Sequence, residues 1–260
     1  MARKTLIAGN WKMNGLLADG VDLAKGVAAE VKKMGKTQCE FLVCPPFTLL
    51  TSVKKALRGA KVALGAQDVH FNAKGAHTGD ISPLMLKDAG CQYVIVGHSE
   101  RRADHKESDE LISKKAAAAY EAGLKAVICI GETLEEREGN KTQAVLDTQL
   151  EGGLAGISSA DAEGIVIAYE PVWAIGTGKT ATPDVAEETQ AGIRAKLAAL
   201  YSKEVAENIR IQYGGSMKAD NAEALVSKKD IDGGLIGGAA LKAGSFAELI
   251  ANGIKGAQSK

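Results

Sequence analysis

Eight short runs of apolar, often β-branched residues recur along this chain and constrain its fold more than any other feature. They occupy Thr5–Gly9, Glu40–Cys44, Lys61–Gly65, Gln92–Gly97, Lys125–Ile130, Ile165–Tyr169, Ile209–Tyr213 and Ile231–Ile236. Their starts average about 32 residues apart, the length of one strand–helix–strand unit. Most runs are apolar throughout rather than alternating, as expected of strands buried on both faces of a parallel sheet.

Helix patterns lie between the runs. Val21, Ala24, Val27, Ala28, Val31 and Met34 share one face at a 3.6-residue period, and Gly35 supplies a stop. Ala186, Thr189, Ile193, Leu197 and Leu200 form a second stripe, opened by Thr182-Pro183-Asp184: a capping hydroxyl, a first-turn proline and an acid suited to the helix dipole. Asp220–Glu223 and Ser245–Glu248 have capping-box spacing. With no linker-like stretch dividing residues 1–260, a single domain is expected. Eight strands alternating with helices leave an open doubly wound sheet or a closed parallel (β/α)8 barrel. The first turn, Gly9-Asn10-Trp11-Lys12, lacks the glycine fingerprint of a dinucleotide-binding sheet. Strand count and length favour the barrel.

Charge and composition exclude several function classes. The 32 basic and 32 acidic residues cancel, and no basic cluster offers the footprint that nucleic acid needs. No run approaches the ~18 apolar residues of a membrane span. Leu6-Ile7-Ala8 is too short for a secretory core, so a cytoplasmic protein is expected. Cys39, Cys44, Cys91 and Cys129 show no C-x-x-C spacing and read as reduced, buried thiols.

In α/β barrels and open sheets, ligands gather at the carboxyl ends of the strands. Here those ends carry Asn10 and Lys12, Gln67-Asp68, His98, Glu132, Glu170, Gly214-Gly215-Ser216 and Gly237-Gly238. Glycine pairs after the last two strands expose backbone N–H groups for an anion, and barrels often bind phosphate there. Glu170, ending an apolar strand, should have a raised pKa suited to a general base, or else be a structural ion-pair acid. His98 opens a helix, whose N-terminus disfavours imidazolium; a neutral ring there can donate to a carbonyl oxygen. Lys12 supplies a cation on the same rim.

Pro171-Val172-Trp173-Ala174-Ile175-Gly176-Thr177-Gly178-Lys179-Thr180-Ala181 has stiff ends and a small, flexible centre, the build of a hinged lid that excludes water. A passive loop would leave Trp173 and Ile175 without partners. Gly178-Lys179-Thr180 resembles the end of a P-loop, but the first glycine of that motif falls on Trp173. His70, His77, His98 and His105 recur at multiples of seven without a known ligand spacing, so no metal is expected.

Asn10–Asn14, Val96–Arg102, Ala168–Gly178, Tyr213–Ser216 and Gly237–Ala239 together resemble the triosephosphate isomerase family, in order, from residue 6 to about 250. That family is itself the standard case of a glutamate base, a neutral histidine and a closing loop, so the readings of Glu170, His98 and the lid agree with a known example. The resemblance implies a TIM barrel that interconverts dihydroxyacetone phosphate and D-glyceraldehyde 3-phosphate in glycolysis and gluconeogenesis, with no cofactor and no metal. It implies Glu170 as base, His98 as electrophile, and Lys12 and Asn10 stabilising the enediolate. Asn10, Trp11 and Lys12 would face substrate; Gly176, Ser216, Gly237 and Gly238 would hold its phosphate; Ile175 and Leu235 would clamp Glu170. A homodimer is implied through an arm at Gly75–Asp80 in which Thr78 matches, while His77 and Asp80 depart from the family's usual aromatic and glutamate. Ala240 stands where a serine is common, which suggests a lost hydroxyl near the phosphate. Two alternatives are another phosphate-binding barrel enzyme, for which Lys12 is the sole rim lysine, and a non-catalytic scaffold.

Overall fold

In the computed structural model, which describes residues 3–175 and 180–260, all eight apolar runs are parallel strands. They are β1 (Leu6–Asn10), β2 (Glu40–Cys44), β3 (Val62–Ala66), β4 (Tyr93–Val96), β5 (Lys125–Ile130), β6 (Val166–Tyr169), β7 (Arg210–Tyr213) and β8 (Gly233–Ile236). Each pairs with its neighbour in sequence, and β8 returns to β1 with Leu6 opposite Gly233, closing the barrel. The open sheet is thereby excluded. The described residues also form eleven α-helices: α1 (Leu17–Lys33), α2 (Leu50–Ala56), α3 (Pro83–Asp88), α4 (Ser99–Asp104), α5 (Asp109–Glu121), α6 (Leu134–Glu138), α7 (Thr142–Leu154), α8 (Pro183–Leu200), α9 (Lys203–Asn208), α10 (Ala219–Val226) and α11 (Ala243–Gln258). None of these is long and apolar enough to cross a membrane.

The continuous apolar runs divide by the strand period of two. Leu6, Ala8, Leu42, Cys44, Tyr93, Ile95, Val127, Cys129, Val166, Ala168 and Leu235 form one buried cluster. The alternate residues, Ile7, Phe41, Val43, Val94, Val96, Ile128 and Ile167 among them, join helix residues such as Ala24, Val27 and Ile193 in the other. The first cluster fills the barrel and the second seals helices onto it. Inside, the buried Gln212 donates to the carbonyls of Leu6 and Gly234 at 2.9 and 3.0 Å, tying the closing strands together.

Helix ends follow the sequence in part. Thr182 caps α8 by accepting from the Val185 N–H, with Pro183 in the first turn, and Gly35 ends the α1 region at φ +71°. Both proposed capping boxes are corrected. Asp220 and Ser245 lie inside the first turns of α10 and α11, because those helices start at Ala219 and Ala243. Asn221 takes over the reciprocal part, accepting from the Lys218 N–H at 2.8 Å. Leu200 belongs to the α8 stripe by spacing but reaches the surface at the last turn. The four cysteines are free and buried.

At the amino ends of the strands, Arg194 of α8 is buried with Asp230 and Asp232. It donates to Asp232 at 2.8 Å, to Asp230, and to the carbonyls of Ala206 and Ile209. Arg3 adds a bond to Asp232 at 2.9 Å. This ion cluster ties the amino ends of β7 and β8 to α8 and the N-terminal segment, opposite the rim that carries the site residues.

Candidate active site

The carboxyl ends of the strands surround a cavity of about 660 Å³, lined by Asn10, Trp11, Lys12, His98, Glu170, Ile175, Ser216, Leu235, Gly237 and Gly238 among others. The expected catalytic and substrate-facing residues that are described lie on it, brought together from β1, β4, β6, β7 and β8 by barrel closure, whereas of the described lid residues only Ile175 does. Gly176, Thr177, Gly178 and Lys179 lie outside the described residues, so the phosphate role given to Gly176 and the centre of the lid have no structural counterpart here.

Glu170 and His98 meet directly. His98 Nε2 stands 2.9 Å from Glu170 Oε1, and the Ser99 N–H donates to Glu170 Oε2 at 2.9 Å. Both side chains are almost wholly buried, at 7% and 3% exposure. Burial by itself would raise the Glu170 pKa, but the charge and hydrogen bond of His98, the Ser99 N–H and Lys12 outweigh it, and the carboxyl is held below the usual range. For His98, burial acts to lower the pKa, while the charges of Glu170 and Glu100 lift it above the usual histidine range. Both expected directions are therefore reversed in the free protein, because each group finds its counter-charge in the other. The helix end still acts on the ring: the Glu100 N–H donates to His98 Nδ1 at 3.2 Å, which places the ring proton on Nε2 in the neutral form. Cys129 completes the wall, its thiol pushed up by burial and by the Glu170 charge beside it.

Lys12 is set by its backbone. It has φ +52°, a left-handed conformation that a non-glycine residue seldom adopts. The Asn10 side chain accepts its N–H at 3.0 Å, and Gln67 donates to its carbonyl at 2.8 Å, so two strand ends hold the backbone of one lysine. Lys12 Nζ then reaches Glu100 at 2.5 Å. The sequence places Gln67 at the end of β3 but gives no role to it or to Glu100. Trp11 lines the cavity with an indole only 1% exposed, so its contribution is packing.

The glycine pairs differ in what requires them. A Cβ on Gly215 would lie 2.3 Å from the Tyr213 hydroxyl oxygen, and one on Gly214 would lie 2.8 Å from Glu170 Cγ. A Cβ on Gly238 would meet nothing within 4 Å and would project into open space. Gly214 and Gly215 answer to the protein, whereas Gly238 leaves space at the cavity. Ala240 is fully buried and a Cβ on Gly9 would lie 2.9 Å from its own, so it is a core residue and the expected loss of a phosphate-side hydroxyl is corrected.

At the start of the loop after β6, Val172–Ala174 form a single 3-10 turn. Trp173 is not partnerless as a passive loop would have left it: its indole N–H donates to the buried Glu132 at 2.9 Å, and Arg137 lies 4.9 Å over its ring. Tyr169 also donates to Glu132, at 3.0 Å. At the far end, the Ala181 N–H donates to the Tyr213 hydroxyl at 3.3 Å.

Known proteins match this arrangement along nearly the whole chain. The family model described as triosephosphate isomerase matches residues 5–253. A triosephosphate isomerase of Herpetosiphon aurantiacus is 52% identical over 248 residues, covering 95% of this chain and 98% of that protein. One from Carboxydothermus hydrogenoformans is 50% identical over 252 residues, covering 97% and 100%. One from Fusobacterium nucleatum is 50% identical over 254 residues, covering 96% and 99%. With these motifs gathered at one rim of a closed barrel, the chain belongs to the triosephosphate isomerase family.

Proposed function

We propose that Glu170, His98, Lys12 and Asn10 carry the reaction of this family, the interconversion of dihydroxyacetone phosphate and D-glyceraldehyde 3-phosphate in glycolysis and gluconeogenesis. The observation that carries the assignment is the 2.9 Å meeting of Glu170 and His98 on a cavity that also holds the Gly237-Gly238 pair. Glu170 takes a proton from the carbon next to the carbonyl and returns it to the neighbouring carbon. His98 Nε2–H donates to the oxygen on which charge develops, and passes protons between the two oxygens of the enediolate. Lys12 and Asn10 stabilise that negative charge, and Gly237, Gly238 and Ser216 hold the phosphate. Substrate cannot fit between atoms 2.9 Å apart, so Glu170 leaves Nε2 and the Ser99 N–H when substrate enters. With the carboxylate gone, the Glu100 N–H on Nδ1 keeps His98 neutral, and the base, freed of its counter-charge, becomes stronger.

Residues 171–181 act as the lid, with Ile175 and Leu235 enclosing Glu170, and residues 1–260 form one domain. Chains pair as a homodimer in the cytoplasm through the arm around Thr78. Support for pairing comes from the exposed arm and from Met13, Leu16, Leu17, Leu84 and Met85, apolar side chains 55–95% exposed beside the first three strands. Sedimentation at the mass of one chain would remove the dimer.

Isomerase activity on glyceraldehyde 3-phosphate, with EDTA present and Glu170→Gln alongside, tests the assignment. Rapid turnover by the parent and a large loss in the variant are expected. An inactive parent, or a variant as fast as the parent, would overturn it.

A further inference from the structure

We propose that Gln149, on the outer helix α7, is a positioning residue for Glu170 and acts on it through Gly131 at the end of β5; the inference rests on Glu170 being the base. β4 pairs with β5 only as far as Val96 opposite Ile128, and its chain then turns away into α4. Cys129, Ile130 and Gly131 run on beyond that point. Backbone polar groups of a strand alternate between its two neighbours. The Ile130 and Glu132 carbonyls serve the β6 side, accepting from the Glu170 and Val172 N–H groups at 2.7 and 3.1 Å. Those of Cys129 and Gly131 face the side where β4 has ended, and there side chains take its place.

Arg102 of α4 donates from Nη2 to the Cys129 carbonyl at 3.1 Å and from Nε to the Gly97 carbonyl at 3.0 Å, while Nη1 reaches Asp109 at 2.6 Å. Gln149 takes both polar groups of Gly131. Its Oε1 accepts from the Gly131 N–H at 2.7 Å, and its Nε2 donates to the Gly131 carbonyl at 3.1 Å. A single orientation of the amide satisfies both bonds, so Gln149 supplies what one more residue of β4 would have supplied.

Gly131 is the point of contact with Glu170. A Cβ there would lie 1.7 Å from the Glu170 carbonyl oxygen and 2.7 Å from its carbonyl carbon, so Gly131 is packed directly on the Glu170 peptide. A shift of Gly131 therefore passes to Glu170 with no soft side chain between them. Proton transfer depends on where the carboxylate stands, and a misplacement of about 1 Å can cost about 100-fold. Gly237, Gly238 and Ser216, proposed to hold the phosphate, follow β7 and β8 rather than β5. Loss of the Gln149 bonds should thus slow the reaction of bound substrate and spare its binding.

In the full-length protein, kcat and KM for glyceraldehyde 3-phosphate are measured across pH for the parent, Gln149→Met, Gln149→Glu and Glu170→Gln. Gln149→Met keeps the length of the side chain and loses both bonds; kcat should fall about 10-fold with KM within about twofold of the parent. Gln149→Glu keeps the shape and makes the second bond depend on a proton. As a carboxylate it still accepts the Gly131 N–H but sets a negative oxygen against the Gly131 carbonyl, which also raises its own pKa; as an acid, its O–H donates to that carbonyl and restores the pair. Its kcat deficit against the parent should be about 10-fold near pH 9 and shrink to about threefold or less near pH 6, a recovery that lost packing would not give. This variant also decides the matter if Gln149→Met does not fold. A parental kcat in Gln149→Met, a loss carried by KM alone, or a Gln149→Glu deficit that is constant with pH would overturn the role of Gln149. A slow Glu170→Gln beside a fast Gln149→Met removes only the positioning role, whereas a Glu170→Gln as fast as the parent removes the base itself.

Discussion

The contact between His98 Nε2 and Glu170 Oε1 makes the charge state of each side chain depend on the other. Glu170, held low, stabilises the fold above the usual carboxylate pKa and loses this as pH falls through its folded value. His98, held high, stabilises it below the usual histidine pKa and loses this as pH rises through its folded value. Both contributions are present between about pH 4.3 and 6.5, so the melting-temperature deficit of Glu170→Gln should be largest there. A deficit independent of pH would contradict the pair. In the same variant, NMR titration should find His98 below its parent pKa, since burial and the Glu100 N–H remain while the counter-charge is gone. Glu170→Asp keeps the charge but withdraws it by one methylene, which should lower kcat about 100-fold with the fold intact. Glycines give a paired test. Gly215→Ala should lower stability by about 1–3 kcal/mol because Tyr213 must move, read by chemical denaturation. Gly238→Ala should leave stability alone and raise KM, since its added methyl enters only the cavity.

At the scale of elements, the 3-10 turn at Val172–Ala174 joins β6 to the proposed lid. Glu132 anchors it from the end of β5, accepting from Tyr169 and Trp173 at one oxygen, while its buried Oε2 has no hydrogen-bond partner among the described residues. Deleting Ile175–Gly178 should therefore spare the barrel but release the enediolate before it is reprotonated. Methylglyoxal and inorganic phosphate should accumulate from substrate, as measured by trapping the aldehyde; an unchanged by-product yield would remove the protective role of the lid.

Across the whole molecule, polar groups are sorted to opposite ends of the strands. Arg194, Asp230, Asp232 and Arg3 clamp the amino end; the residues proposed for catalysis occupy the carboxyl end. Arg194→Met would leave two buried carboxylates short of their main partner. A stability loss of about 3–5 kcal/mol in urea unfolding is expected, with little change in KM for protein that remains folded. A loss below ~1 kcal/mol would mean that Arg3 alone satisfies both carboxylates.

Much of this was legible in the chain itself. Strand number and the residues at strand ends follow from local periodicity, because a strand buried on both faces must be apolar throughout and ligands gather where it stops; strand count favoured the (β/α)8 barrel, and the pairing of β8 with β1 decided it. Strand edges moved by a residue or two, and the helices at Ala219 and Ala243 began before their polar capping signals, since backbone context sets helix starts. What the tertiary structure decided depends on distances between residues far apart in sequence. Glu170 is low rather than high because His98, from another strand, stands against it; Lys12 is fixed by Gln67 and Glu100; Ala240 is core because it packs against Gly9. Gln149 meets Gly131 only because α7 packs beside the end of β5. Periodicity reports burial, which is a property of each segment, whereas charge state and positioning are properties of pairs, and pairs exist only once the barrel has closed.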